Sequence, residues 1–379
     1  MTISRRKFIT HAGAATLAAQ LSSNAFALAA KRTGLKEYYA NDFKIGAAVG
    51  SAILHGDKEL ESLLIRDFNS ITPENCLKWE SVHPANDTWN WADADTYVDI
   101  GTRNHMYVVG HCLAWHSQVP GSVFKNASGD YVSAEELKKK MTDHITTVVG
   151  RYKGKIRAWD VVNEALGDEA GNPMRKSNYF NILGENFIDH AFHVAHETDP
   201  AAHLMYNDYG TERTGKREAC IELLKRMKER GVPVNGVGIQ AHLHIDEPGI
   251  EELEKSIIDF ASLGLRVHFT ELDIDVLPNV WKIPVADISA RFEYKPERDP
   301  YKDGLPKDIE EKLALRWESL FKLFIKHRDK VERVTLWGLS DDHSWLNNFP
   351  IRGRTNYPLL FDRKHQPHEA YFKLLGLKK

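Results

Sequence analysis

Seven short stretches of this chain crowd carboxylates, amides, imidazoles and indoles onto the ends of otherwise apolar runs. Thr72-Pro73-Glu74-Asn75 is followed by Lys78-Trp79, and Gly110-His111-Cys112-Leu113 by Ala114-Trp115-His116. Further on come Trp159-Asp160-Val161-Val162-Asn163-Glu164, Asn207-Asp208-Tyr209, Gln240-Ala241-His242-Leu243-His244, Thr270-Glu271-Leu272-Asp273 and Trp337-Gly338-Leu339-Ser340-Asp341-Asp342. Side chains of these types suit a carbohydrate: amides, imidazoles and ammonium groups hydrogen-bond hydroxyls, and flat aromatic rings cover C–H faces. Cutting a glycosidic bond then needs two carboxyl groups of opposite duty. One protonates the departing oxygen, and the other attacks the anomeric carbon or activates water to do so. Glu164 and Glu271 stand out because each follows an apolar, β-branched run, where a carboxylate without a task is costly to place. Asp208, Asp273 and Asp341 share that position and compete for the role, whereas Glu135, Glu251 and Glu310 read as solvated helix residues.

The elements that would position these groups alternate along the chain. Short β-branched runs at 43–50, 70–75, 106–113, 157–164, 203–208, 236–243, 267–273 and 333–340 read as eight strands, each followed by a segment of helical spacing. One helix starts at Ser133 with Glu136 three residues on and turns Leu137, Met141, Ile145 and Val148 inward. A second stripes Phe180, Leu183, Phe187, Ala191 and Val194 along one face and stops at Asp199-Pro200. A third ends at Gly231, and a fourth from Asp308 buries Ile309, Leu313, Trp317, Leu320 and Phe324. Eight such units with right-handed crossovers predict a single (β/α)8 TIM barrel, with every strand's carboxyl end on one face. A doubly wound open sheet is disfavoured, since Gly46-Ala47-Ala48-Val49-Gly50 lacks the dinucleotide-binding glycine spacing. The irregular stretch 277–306 reads as a loop over the active face.

With 50 basic and 53 acidic residues the formal charge is −3, which offers no field for nucleic acid or an anionic membrane. The 42% apolar content and nine Trp allow a large core in a chain of 379 residues. Cys76, Cys112 and Cys220 are odd in number and widely spaced, so neither a disulfide framework nor a metal knuckle is expected. Ser4-Arg5-Arg6-Lys7-Phe8-Ile9 before the Ala-rich stretch 12–30 reads as a twin-arginine export signal cut near Ala27. The expected organisation is therefore a signal at 1–27, a lead-in at 28–40 and a catalytic domain at 41–379, exported to a periplasm or beyond the cell.

Seven motifs in order carry a resemblance to the family 10 glycoside hydrolases, the endo-β-1,4-xylanases, from about Asn41 to Leu377. They are TPENCLKWE at 72–80, GHCLAWHSQVP at 110–120, WDVVNEA at 159–165, YNDYG at 206–210, GIQAHLH at 238–244, TELDI at 270–274 and LWGLSDDHSWL at 336–346. The resemblance implies a retaining double displacement on xylan or xylo-oligosaccharides by a monomer, with no cofactor and no metal. It makes Glu164 the acid/base and Glu271 the nucleophile. Asn163 would hold the 2-hydroxyl, and His242 would hydrogen-bond Glu271 while Asp273 orients its imidazole. Glu74, Asn75 and Lys78 would surround the sugar beyond the cleavage subsite on the non-reducing side. His111, Trp115, Gln240, Trp337 and Trp345 would enclose the cleavage subsite, and Tyr209 would support the first leaving-group sugar. Trp79 and Trp159 are as well explained by the core. Related barrels acting on cellulose or mannan carry the same carboxylate pair and remain the main alternative. A metal-dependent hydrolase using His111, His116, His242 and His244 is a distant one, because only the His242–His244 pair has ligand spacing.

Overall fold

The computed structural model describes residues 34–85, 87–168, 173–280 and 291–378. The expected signal at 1–27, the first part of the lead-in and the middle of the 277–306 loop lie outside the described residues. Among the described residues, nine parallel strands form the sheet: β1 Lys44–Val49, β2 Ser70–Pro73, β3 Tyr107–Trp115, β4 Ala158–Asn163, β5 His203–Asp208, β6 Gly236–Ile239, β7 His242–His244, β8 Arg266–Asp275 and β9 Val331–Leu336. β1 pairs with both β2 and β9, and β6 pairs with β8, so the sheet closes on itself. This is the expected eight-stranded barrel, with its sixth strand broken in two. The break falls at Gln240-Ala241, where Ala241 takes φ +59°, and β7 resumes pairing with β8.

Strands buried on both faces need cover, and helices between them supply it. The helix Ala134–Arg151 starts where Ser133 Oγ accepts the Glu136 N–H at 3.1 Å, and Leu137, Met141, Ile145 and Val148 are fully buried. Lys307–Lys326 likewise turns Leu313, Trp317, Leu320 and Phe324 into the core. The stripe from Phe180 to Val194 is two helices rather than one, Asn178–Leu183 and Asn186–Thr198, parted at Gly184 with φ +61°. Glycine reaches that conformation without a Cβ clash and ends the first helix there. Phe180 is left half-buried with Lys176 Nζ 4.6 Å from its ring centre.

The first and last described helices meet at one face. Leu35 of the short helix Leu35–Tyr38 is buried and gives its N–H to Asp67 Oδ1, which also accepts the Tyr371 hydroxyl at 2.6 Å. The three cysteines are buried free thiols. Two glycines set how closely the strands' side chains approach. A Cβ on Gly110 of β3 would lie 2.0 Å from the Trp159 ring, and one on Gly238 of β6 would lie 2.1 Å from Asn207 Oδ1. Trp159 is core, as is Trp79, whose indole stacks on the His144 ring with centres 3.7 Å apart. Among the described residues, no helix is long and apolar enough to cross a membrane.

Candidate active site

At the carboxyl ends of the strands lies a cleft of ≈ 360 Å³, and all fourteen candidate residues line it. Glu164 is the first residue beyond β4 and sits at φ +58°, a region non-glycine residues avoid. Neighbours hold it there: its N–H donates to Asn207 O at 2.9 Å and its carbonyl accepts Arg175 Nε at 3.0 Å. Glu271 lies within β8, its N–H donating to Gln240 O at 2.9 Å across the break in the sixth strand. Both side chains are buried.

A chain of amides joins the two carboxylates. Thr270 Oγ1 donates to Asn207 Oδ1 at 2.6 Å, which turns the Asn207 amino group towards its acceptors. That group donates to Glu271 Oε1 and to Asn163 Oδ1, both at 2.9 Å. Asn163 Nδ2 in turn donates to Glu164 Oε1 at 3.2 Å, and Gln240 Nε2 reaches the same oxygen at 3.0 Å. Trp115 Nε1 donates to the other oxygen, Glu164 Oε2, at 2.8 Å. His116 Nε2 lies 3.4 Å from that atom, but burial, aided by Arg175, pushes the imidazole down to about 4. Glu164 therefore has only uncharged partners at neutral pH.

Glu271 has a charged one. His242 stands between two carboxylates, with Nε2 3.2 Å from Glu271 Oε2 and Nδ1 3.0 Å from Asp273 Oδ1. Burial opposes a charge on the imidazole, yet Asp273 and Glu271 outweigh it and raise His242 to about 10. Burial also works against a charge on Glu271. The hydrogen bond from His242, the nearby charges of His111 and His242 and the Asn207 amide outweigh it and hold the carboxyl below the usual glutamate range. Asp273 is fixed from its other side by Trp345 Nε1 at 2.8 Å.

The remaining side chains wall the cleft. Lys78 Nζ donates to Asn75 Oδ1 and Gln118 Oε1 at 3.1 and 3.0 Å and lies 4.8 Å from the Trp115 ring centre. Burial raises the Glu74 carboxyl, with Lys78 opposing. His111 pairs with Asp160 at 2.9 Å and meets the Trp337 ring edge-on, while Trp345 stacks on Phe349 with centres 5.0 Å apart. The Tyr209 hydroxyl bonds Asp168 and accepts from Arg175 at 2.7 Å.

The competing carboxylates are committed elsewhere. Asp208 takes the Tyr206 hydroxyl at 2.5 Å and Lys216 at 2.9 Å, and Asp341 takes His368 Nε2 at 2.7 Å and the Leu359 N–H. The rim imidazoles are dispersed likewise: His244 Nε2 faces Leu277 O at 3.1 Å, and His111 and His242 serve carboxylates, so these four histidines make no common ligand set. Sequence reasoning missed Asn207, Thr270, Gln118 and the buried cleft residue Glu212. Asn207 carried a signal, since it ends a strand beside Asp208.

The family model for glycosyl hydrolase family 10 matches residues 34–376. The chain is 42% identical over 352 residues to an endo-1,4-beta-xylanase A of Xylanibacter ruminicola, covering 93% of this chain and 95% of that one. It is 40% identical over 343 residues to an endo-1,4-beta-xylanase of Geobacillus stearothermophilus, covering 90% and 98%. A solved structure of a novel GH10 endoxylanase retrieved from a sugarcane soil metagenome superposes with a TM-score of 0.88 at 58% identity, over 91% of this chain and 100% of that one. A closed barrel with this cleft, matched along almost its whole length, makes the chain a member of glycosyl hydrolase family 10.

Proposed function

We propose that this chain is an endo-1,4-β-xylanase that cuts internal β-1,4-xylosidic bonds with retention, Glu271 acting as nucleophile and Glu164 as acid/base. The observation that carries the division of labour is the unequal company of the two carboxylates. Glu271 shares a hydrogen bond with a charged imidazole and stays ionised, ready to attack the anomeric carbon. Glu164 has only neutral N–H partners and is the member left to carry the proton to the departing oxygen. In the second half-reaction Glu164 takes a proton from water, which releases the sugar from its ester with Glu271. Asn163 holds the 2-hydroxyl, and His242 and Asp273 keep the nucleophile ionised and oriented. Glu74, Asn75 and Lys78 bind the non-reducing side, His111, Trp115, Gln240, Trp337 and Trp345 enclose the cleavage subsite, and Tyr209 supports the first leaving-group sugar. The reading includes export through the Arg5-Arg6 signal, with cleavage near Ala27, and a catalytic domain that works as a monomer without cofactor.

The test sets wild type against Glu271→Ala on soluble xylan, carboxymethylcellulose and mannan, following reducing ends and product size. Release of short xylo-oligosaccharides from xylan alone, with a loss of about 10³-fold or more in the variant, is expected. Cleavage of another polymer with xylan untouched would transfer the same carboxylates to a different substrate. Unchanged activity in the variant would remove Glu271 from the chemistry.

A further inference from the structure

The segment after β9 and the turn at 362–366 bring a second set of polar side chains together on the rim, outside the residues that the proposed reaction uses. Among the described residues, Asp342, His343 and His365 are the one group of three whose ligand-capable atoms all lie within 4.8 Å of one another. His343 Nδ1 is 3.0 Å from Asp342 Oδ2, and His365 Nε2 is 3.6 Å from the same oxygen. The two nitrogens of His365 have unlike surroundings. Nδ1 is 3.2 Å from Glu59 Oε1, while Nε2 is shut off from solvent and has no hydrogen-bond partner. A buried nitrogen left unpaired costs stability unless something answers it.

We propose that Asp342, His343 and His365 bind a divalent zinc-type cation, with Glu59 as the outer carboxylate that sets the His365 tautomer. A carboxylate on one imidazole nitrogen leaves the other as an unprotonated lone pair, which is how metal-bound histidines are held. Two imidazoles and one carboxylate favour zinc over magnesium or calcium, which take oxygen ligands. Tetrahedral ligands at about 2.0–2.1 Å from zinc stand about 3.3 Å from each other. The 3.0 and 3.6 Å spacings to Asp342 bracket that value, and His343, 40% exposed, would close the widest gap by exchanging its Nδ1 contact with Ser340 Oγ, at 3.3 Å, for the cation. Three protein ligands leave a fourth position to water. The site belongs to the architecture rather than to the chemistry: the cation links the segment that carries Trp345 to the 362–366 turn and, through Glu59, to the helix Lys58–Asp67.

The test is calorimetric titration of zinc chloride into the tag-free full chain after EDTA treatment and dialysis. One equivalent is expected to bind saturably and to raise the unfolding temperature. The double variant His343→Ala/His365→Ala is expected to lose that binding, and Glu59→Gln to weaken it about tenfold or more. Should the double variant fail to fold, Asp342→Asn removes a ligand at constant volume and is expected to weaken binding by at least tenfold. Absence of a saturable one-equivalent heat in wild type overturns the site. So does undiminished zinc affinity in a variant whose zinc-free melting matches wild type.

Discussion

Replacing His242 with Asn removes a charge from beside the nucleophile and leaves a polar side chain in its place. Burial is the largest influence on Glu271 and acts to raise its pKa; the hydrogen bond from His242 is the largest one opposing it. A hydrogen bond to a charged group contributes about 1.5–3 kcal/mol. At about 1.4 kcal/mol per factor of ten, its loss lets burial raise the Glu271 carboxyl and cuts the ionised fraction at a given acid pH by about 10- to 100-fold. The nucleophile must be ionised, so the acid limb of the kcat/KM profile should move to higher pH. On the wild-type acid limb the variant should be about 10- to 100-fold slower, with a smaller deficit once Glu271 has titrated. His242, raised to about 10, stays charged across the whole range over which wild type is compared. The assay is hydrolysis of an aryl β-xylobioside followed against pH for both proteins. An acid limb that stays in place while the whole profile drops uniformly would refute the electrostatic reasoning, because His242 would then act by position alone.

Gly238→Ala should lower kcat by more than about tenfold with little change in KM, because its Cβ would drive into Asn207 Oδ1 and tilt the amide that holds Glu271 and Asn163; initial rates on xylan test it. Gly110→Ala should destabilise the barrel by about 1–3 kcal/mol, read as a lower Tm, since the Trp159 ring it meets is locked in the core. His242 contributes stability fully present below its unfolded pKa of about 6.5 and lost as pH rises through about 10, so denaturant midpoints should fall over that window and fall less in His242→Asn. Glu271, held below its ordinary value, contributes in the opposite sense: its share is present above about pH 4.5 and is lost as pH falls, which urea unfolding of Glu271→Gln against wild type would register.

What could be read from the sequence were features encoded locally. Ser133, whose hydroxyl accepts the Glu136 N–H, marks a helix start within four residues, and an apolar β-branched run ending in Asn163-Glu164 marks a strand end whatever the rest of the chain does. The split at Gly184 was also locally encoded, but an apolar spacing that stays in phase across the glycine hid it. The break at Ala241 and the φ +58° of Glu164 were not encoded locally at all: alanine and glutamate have no preference for that region, so only the closing of the barrel forces them there. The same division runs through the site. Many residues that face the cleft sit at or just past strand ends and announce themselves by type, whereas those that orient them depend on lateral register or on the return of a loop. Asn207 matters because β5 pairs it opposite Asn163, and Gln118 because a loop returns it to Lys78 forty positions away. Register is a property of two strands at once, and a one-residue slip would turn the Asn207 amide away from Glu271 while leaving every motif in the sequence intact. Substitutions in this second set should therefore impair the reaction without altering any residue that touches the sugar, as Gly238→Ala is expected to do.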